Sequence, residues 1–371
     1  MLNSVSKSIY LDACATTPIL PVVLEYINHI ENNNWANPSS LHSYGLKACE
    51  IIERSRNNIN KKLNVGSGNV IFTSGATESI RLALLHASNT VSKGRIVTSS
   101  IEHSSVYQAV SYLRNSGWSS EIWPVDHNGI IRLELIDKYL SPPTKILSIV
   151  WGQGEIGSVQ PISYIANECR KRNIILHTDA SQVISQGLID FKSLNVDYLS
   201  FSAHKFGGPK GVGALLQSYN TKEIKLPNSN ETNISQFQLR PGTQPTSLIG
   251  GMSLAIDNLN TKIKANGFNT IFDNDKTAKL TRRLKLDLTK VKSIMLTGHP
   301  TKRLPHHLSY VICQNEDQNV QGRNIVRLMS ERGIMISSGA ACNSNKLEQD
   351  NTLKSLGIQQ KLRQSAIRFS L

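Results

Sequence analysis

The chain has 371 residues, 39% of them hydrophobic and 18% charged, which suits a folded protein of two lobes and excludes a disordered one. No run of roughly 18 apolar residues occurs and no signal-type stretch follows the polar start Met1–Ser8, so the sequence reads as cytoplasmic, without a membrane span. The net charge of +14 points toward acidic partners, anionic substrates or nucleic acid, although no nucleic-acid-binding motif accompanies it.

Short β-branched runs alternate with amphipathic stretches, the pattern of a mainly parallel sheet flanked by helices. Val70–Thr73 reads as a strand that passes through Ser74-Gly75 into a helix over Ala76–His86. The free N–H groups at that helix start, with the Thr77 hydroxyl, suit a phosphate; an ordinary cap with Glu78 on the dipole suits them equally. Ile96–Thr98 is the next strand, and His103 lies just beyond it, where an imidazole can stack on a flat cofactor or sit on the surface. Lys145–Val150 follows as a strand.

Ile174–His177 is a strand whose end carries Thr178-Asp179-Ala180-Ser181-Gln182. An aspartate at such a strand end can pair with a protonated pyridine nitrogen or cap the next helix. Tyr198–Ser202 leads into Ala203-His204-Lys205-Phe206-Gly207-Gly208. A lysine there can hold a cofactor through its amine, and the glycines admit an anionic group; a surface turn has the same composition.

Leu226–Gly242 reads as a polar loop, and a helix from Gly251 onward is expected to cross to the second lobe. Lys276–Arg303 holds nine basic residues against the single acid Asp287, with Leu280, Leu284 and Leu288 at helical spacing, so a solvated helix face is expected there. Strands are expected near Ser309–Cys313 and Ile334–Ser337. The five cysteines, Cys14, Cys49, Cys169, Cys313 and Cys342, include no C-x-x-C pair, which argues against a disulfide framework or a zinc site. Cys342 stands in the small-residue segment Ser337-Ser338-Gly339-Ala340-Ala341-Cys342-Asn343-Ser344, the setting of a mobile, reactive thiol; the other four suit structural positions. Arg368, near the end, can grip a carboxylate.

Taken in this order, the segments resemble the cysteine desulfurases of the class V aminotransferase family, from Tyr10-Leu11-Asp12 through Asn37-Pro38-Ser39-Ser40 to Ile367-Arg368-Phe369-Ser370-Leu371. The resemblance implies a fold type I α/β protein that binds pyridoxal 5'-phosphate. Its large domain, 15–255, would carry a mainly parallel seven-stranded sheet flanked by helices. A smaller α+β domain, 1–14 with 256–371, would bear the catalytic cysteine loop. Lys205 would carry the cofactor, Asp179 would face the pyridine nitrogen and Gln182 the phenolic oxygen, with His103 over the ring. Ala76, Thr77, Ser202 and His204 would hold the phosphate, joined by Thr243 from a neighbouring subunit of a homodimer. Asn37 and Arg368 would bind L-cysteine, and Cys342 would take its sulfur as a persulfide for an acceptor protein. No metal is implied.

The sequence departs from that family in three places. Gly154 stands where an asparagine contacts cofactor or substrate, leaving Gln153 as a substitute. Ile80-Arg81 replaces the usual Asp-Asn. Relatives continue past the position of Leu371 with a helical tail often used for partner docking, which leaves the customary scaffold partner open. The sulfur is expected to serve iron–sulfur clusters or nucleic-acid modification, the basic charge favouring the latter, with direct nucleic-acid contact unproven. Two other functions remain open: a cofactor-dependent aminotransferase or lyase that never uses Cys342, and a basic binding protein with a relic site.

Overall fold

The computed structural model describes residues 8–221, 240–273, 275–313, 320–339 and 350–371. Seven strands form the central sheet: β1 (Asn69–Thr73), β2 (Arg95–Ser99), β3 (Ser119–Trp123), β4 (Thr144–Val150), β5 (Ile175–Asp179), β6 (Tyr198–Ser202) and β7 (Gly213–Gln217). Their order is β1-β7-β6-β5-β4-β2-β3. The run from β6 to β3 is parallel throughout, and β7 lies antiparallel to both of its neighbours. This is the seven-stranded α/β sheet the sequence implies.

Successive residues on a strand point to opposite faces, and the core divides accordingly. Ile71, Ile96, Ile146 and Leu215 pack under helices α3 (Ala76–Thr90) and α4 (Ser104–Asn115). Their neighbours Phe72, Val97, Leu147 and Leu216 face a larger cluster. That cluster includes residues of α1 (Pro21–Asn33), α2 (Ser43–Lys62), α5 (Ile162–Lys171) and α6 (Thr246–Asp257). The helix expected to cross lobes from Gly251 is α6, which begins earlier and stays in this core. A Cβ on Gly250 would lie 2.6 Å from Ile30 Cδ1 and one on Gly251 2.7 Å from Ile27 Cδ1, so the glycine pair lets α1 pack on its backbone.

A four-stranded antiparallel sheet follows, ordered β8-β9-β11-β10 from β8 (Ile294–Leu296), β9 (His307–Ile312), β10 (Ser337–Ser338) and β11 (Ile367–Ser370). Helices α7 (Asp275–Leu288) and α8 (Gly322–Glu331) cover it through Leu284, Leu288, Ile325, Val326 and Met329. The strand expected over Ile334–Ser337 is two: Ile334–Met335 pairs with Ile9–Tyr10, and Ser337–Ser338 joins the small sheet. Of the basic run, only the part to Leu288 is helix; the rest turns into β8 and the loop after it. Most of the expected polar loop, and Cys342 with its neighbours, lie outside the described residues. Among those described, no helix is long and apolar enough to cross a membrane.

Candidate active site

The carboxyl ends of β1, β2, β4, β5 and β6 open on a cavity of about 350 Å³. Ligands in open α/β sheets settle at this edge. Ala76, Thr77, His103, Asp179, Gln182, Ser202, His204, Lys205 and Arg368 all line it, so most of the residues singled out in the sequence converge.

Three connections at its floor are local consequences of the sheet. Gly75 caps α3 at φ 155, without a side-chain cap, which leaves the helix start open toward the cavity. The Ala76 N–H donates to Ser202 Oγ at 2.6 Å, tying the end of β6 to the start of α3. Asp179 at the end of β5 is buried, and its Oδ1 accepts from Ser181 N at 2.9 Å and Ser181 Oγ at 2.6 Å.

Lys205 follows in a single 3-10 turn after β6. Its Nζ donates to the carbonyls of Cys14 at 2.6 Å and Ala15 at 2.9 Å. Gln182 Nε2 donates to the same Cys14 carbonyl at 2.9 Å. His204 Nδ1 lies 3.1 Å from Thr16 Oγ1; burial, with Lys205 and Lys210 nearby, lowers the ring to about 4 and keeps it neutral. His103 caps α4 with Nδ1, which accepts from Ser105 N, and its ring is otherwise exposed at the cavity mouth.

Arg368 reaches the cavity from β11. It is 6% exposed, and its two terminal nitrogens donate to Asp12 Oδ1 at 2.7 Å and the Gly154 carbonyl at 3.1 Å. Asn37 and Thr243 do not join this cavity. Both line a second cavity of about 260 Å³ between α1 and the start of α6. Neither residue therefore lines the cavity of its own chain, which for Thr243 is what the resemblance implied.

The asparagine-to-glycine departure has a structural partner. A Cβ on Gly154 would stand 3.0 Å from Gln182 Nε2, so Gln182 fills the space a side chain would take. Gln153 lines the cavity too, with its amide engaged within the chain: its Oε1 accepts from the N–H groups of Glu155 and Ile156, and its Nε2 donates to Ile101 O at 3.3 Å and Thr352 Oγ1 at 3.4 Å.

Several wall residues carried no signal in the sequence. Glu102 is buried, accepts from Ser99 Oγ and Val150 N, and burial raises its carboxyl to about 8. Burial likewise raises Glu155 to about 7. Cys14 Sγ is 3.2 Å from His306 Nε2 and buried, with its thiol pushed up by burial, as suits a structural cysteine. Cys169 is buried and raised too, whereas Cys313, expected to be structural, is exposed just past β9.

The cavity has the parts that a phosphorylated pyridine aldehyde requires: an amine, a buried carboxylate and a helix start capped by no side chain of its own, with the Thr77 and Ser202 hydroxyls beside it. It defines a pyridoxal-phosphate enzyme of fold type I. The aminotransferase class-V family model matches residues 9–371, and the chain belongs to that family, within it to the cysteine desulfurases. It is 32% identical over 372 residues to the cysteine desulfurase IscS of Methanosarcina thermophila, covering 100% of this chain and 88% of that protein. It is 34% identical to IscS 1 of Archaeoglobus fulgidus, over 94% of this chain and 88% of that one. Among solved structures, a NifS-like protein superposes with a TM-score of 0.81 at 29% identity, over 98% of this chain and 93% of the other. SspA in complex with cysteine gives 0.78 at 28% identity, over 98% and 99%.

Proposed function

We propose that the protein moves sulfur from L-cysteine onto Cys342, releasing L-alanine and leaving a persulfide for an acceptor protein. The observation that carries this reading is that Lys205 and Arg368, an amine and a carboxylate receptor, line one cavity. Pyridoxal phosphate supplies the electron sink that makes the Cα–H of bound cysteine acidic.

The residues of the chain then have separate tasks. Asp179 would hold a proton on the pyridine nitrogen, Gln182 the phenolic oxygen, and the Ala76–Thr77 helix start with Ser202 and His204 the phosphate. Arg368 binds the substrate carboxylate. The Lys205 amine takes the α-proton. His103 accepts the Cys342 proton; a thiol near its ordinary pKa of about 8.5 is only a few per cent ionised at neutral pH. The Cys342 thiolate attacks the substrate sulfur, the S–Cβ bond breaks, and Cβ takes a proton to give alanine.

Thr243 and Asn37 complete the site of a neighbouring subunit in a homodimer on this reading. Exposed Trp35 (69%), Leu41 (89%) and Tyr44 (56%), near the cavity that holds Asn37 and Thr243, support such an interface. The chain divides into a cofactor lobe, 15–255, and a smaller lobe of 1–14 and 256–371, and works in the cytoplasm. The charge of +14 favours delivery toward nucleic-acid modification; loss of nucleic-acid thiolation on gene deletion supports that, and intact thiolation with failed cluster assembly opposes it.

Mixing equimolar enzyme and sulfur-labelled L-cysteine tests the reaction. One alanine per subunit, with label on the protein removable by a thiol reductant, is the expected result. Pyruvate or another keto acid without bound label would assign the protein to an aminotransferase or lyase instead.

A further inference from the structure

Arg368 is aimed by two acceptors, the Asp12 carboxylate and the Gly154 carbonyl. Gly154 lies in the turn after β4, which is closed by Gln153 N to Ser158 O at 2.9 Å and Gly157 N to Gln153 O at 2.8 Å and braced by the Gln153 side chain on Glu155 N and Ile156 N. Those bonds hold the residues around it, while the direction of the Gly154 carbonyl, on a residue with no side chain of its own, needs a restraint at the carbonyl itself.

His307 supplies that restraint. Its Nε2 lies 3.0 Å from the Gly154 carbonyl, and its Nδ1 lies 3.4 Å from Arg303 Nη2. A carbonyl only accepts and a guanidinium only donates, so Nε2 must carry the hydrogen and Nδ1 the lone pair. Burial, with Arg303 and Arg368 nearby, holds the ring well below its ordinary pKa and therefore neutral, as this pattern requires. Arg303 is itself locked by the carbonyls of Ile156 at 3.0 Å, Thr297 at 3.2 Å, His299 at 3.0 Å and His307 at 3.1 Å. Gly157, at φ +80, admits the pair: a Cβ there would fall 2.5 Å from His307 Nδ1.

We infer that His307 is a positioning residue for substrate recognition, its Nε2–H pinning the Gly154 carbonyl that orients Arg368. It does not line the cofactor cavity, so it touches neither substrate nor cofactor. Register places it on the same face of β9 as Ser309, whose partner on β11 is Arg368. The inference rests on Arg368 as the carboxylate-binding group. It gives the chain a way to aim that arginine with glycine at position 154.

The test is the affinity of the holoenzyme for L-alanine, read by titrating the cofactor's visible absorbance, with cysteamine as a probe that lacks the carboxylate. A single buried hydrogen bond acting on a charged group corresponds to about a tenfold effect. His307→Leu should weaken alanine binding and raise KM for L-cysteine by about tenfold, with kcat within about threefold and cysteamine binding unchanged. His307→Gln, which returns a donor near the Nε2 position, should restore alanine affinity to within about threefold. His307→Asn, whose amide falls short of it, should not, and this pair decides the matter if the leucine variant fails to fold. Equal affinity in the Gln and Asn variants, or parallel loss for alanine and cysteamine, overturns the inference. Arg368→Met that binds alanine normally would instead defeat the site reading itself.

Discussion

Lys205 rests its amine on the main-chain carbonyl of Cys14, 2.6 Å away. The two residues are far apart in sequence, and the contact arises because the N-terminal segment is tied to both sheets, Ala13 N–H to the Ser370 carbonyl of β11 and Thr17 N–H to the His204 carbonyl just after β6. The amine is thereby positioned by backbone rather than by a mobile side chain. Lys205→Ala should abolish the visible absorbance of lysine-bound cofactor and lower alanine formation by about a thousandfold or more. Absorption spectra and alanine assays on the purified variant check both.

The Ala76–Ser202 bond gives a graded test of the phosphate cradle. Ser202→Ala removes the acceptor of a helix-start N–H inside the site. Cofactor affinity should fall by about tenfold while the fold persists, the scale of one lost hydrogen bond near an anion. Equilibrium dialysis with pyridoxal phosphate measures it.

Glu102 sets a pH signature. Its carboxyl is raised by burial from the ordinary 4.5 to about 8, so the protonated form stabilises the fold. That contribution is whole below pH 4.5 and is lost as the pH rises to about 8. Glu155, raised to about 7, adds in the same direction. Glu102→Gln should flatten the fall in Tm across this window and raise Tm at alkaline pH by roughly 2–4 °C. Thermal melts from acid to alkaline pH decide; a slope identical to wild type refutes the assignment.

The dimer proposal has its own measurement. A charge at Trp35 or Leu41, as in Trp35→Asp with Leu41→Asp, should give a monomer by light scattering. Cofactor affinity should weaken alongside, because Thr243 leaves the neighbouring site. A dimer that survives both changes would move the interface elsewhere.

What the sequence made legible follows from chemistry that is local. Asp179, Ser202, Lys205 and the Gly75 helix start each sit within a few residues of a strand end, so strand patterning set them at the sheet's edge, while the choice between cap or turn and cofactor site came from the family resemblance. Glu102, Glu155 and His307 are defined by burial from several distant segments, which no local pattern encodes. Thr243, expected from a neighbouring subunit, lies outside this chain's cavity, whereas nothing in the Asn37 motif tells that Asn37 lies beside Thr243 rather than in the cavity. The glycine pair of α6 misled for a related reason: Gly250 and Gly251 suggest a boundary locally and are a close helix contact in the fold.

Sulfur transfer through Cys342 is tested most directly by replacing that residue with serine. Cys342→Ser, loaded with pyridoxal phosphate and given L-cysteine, should still change the cofactor's absorbance but form alanine at least about a hundredfold more slowly, with no labelled sulfur on the protein. Alanine and sulfide appearing at the wild-type rate would contradict it.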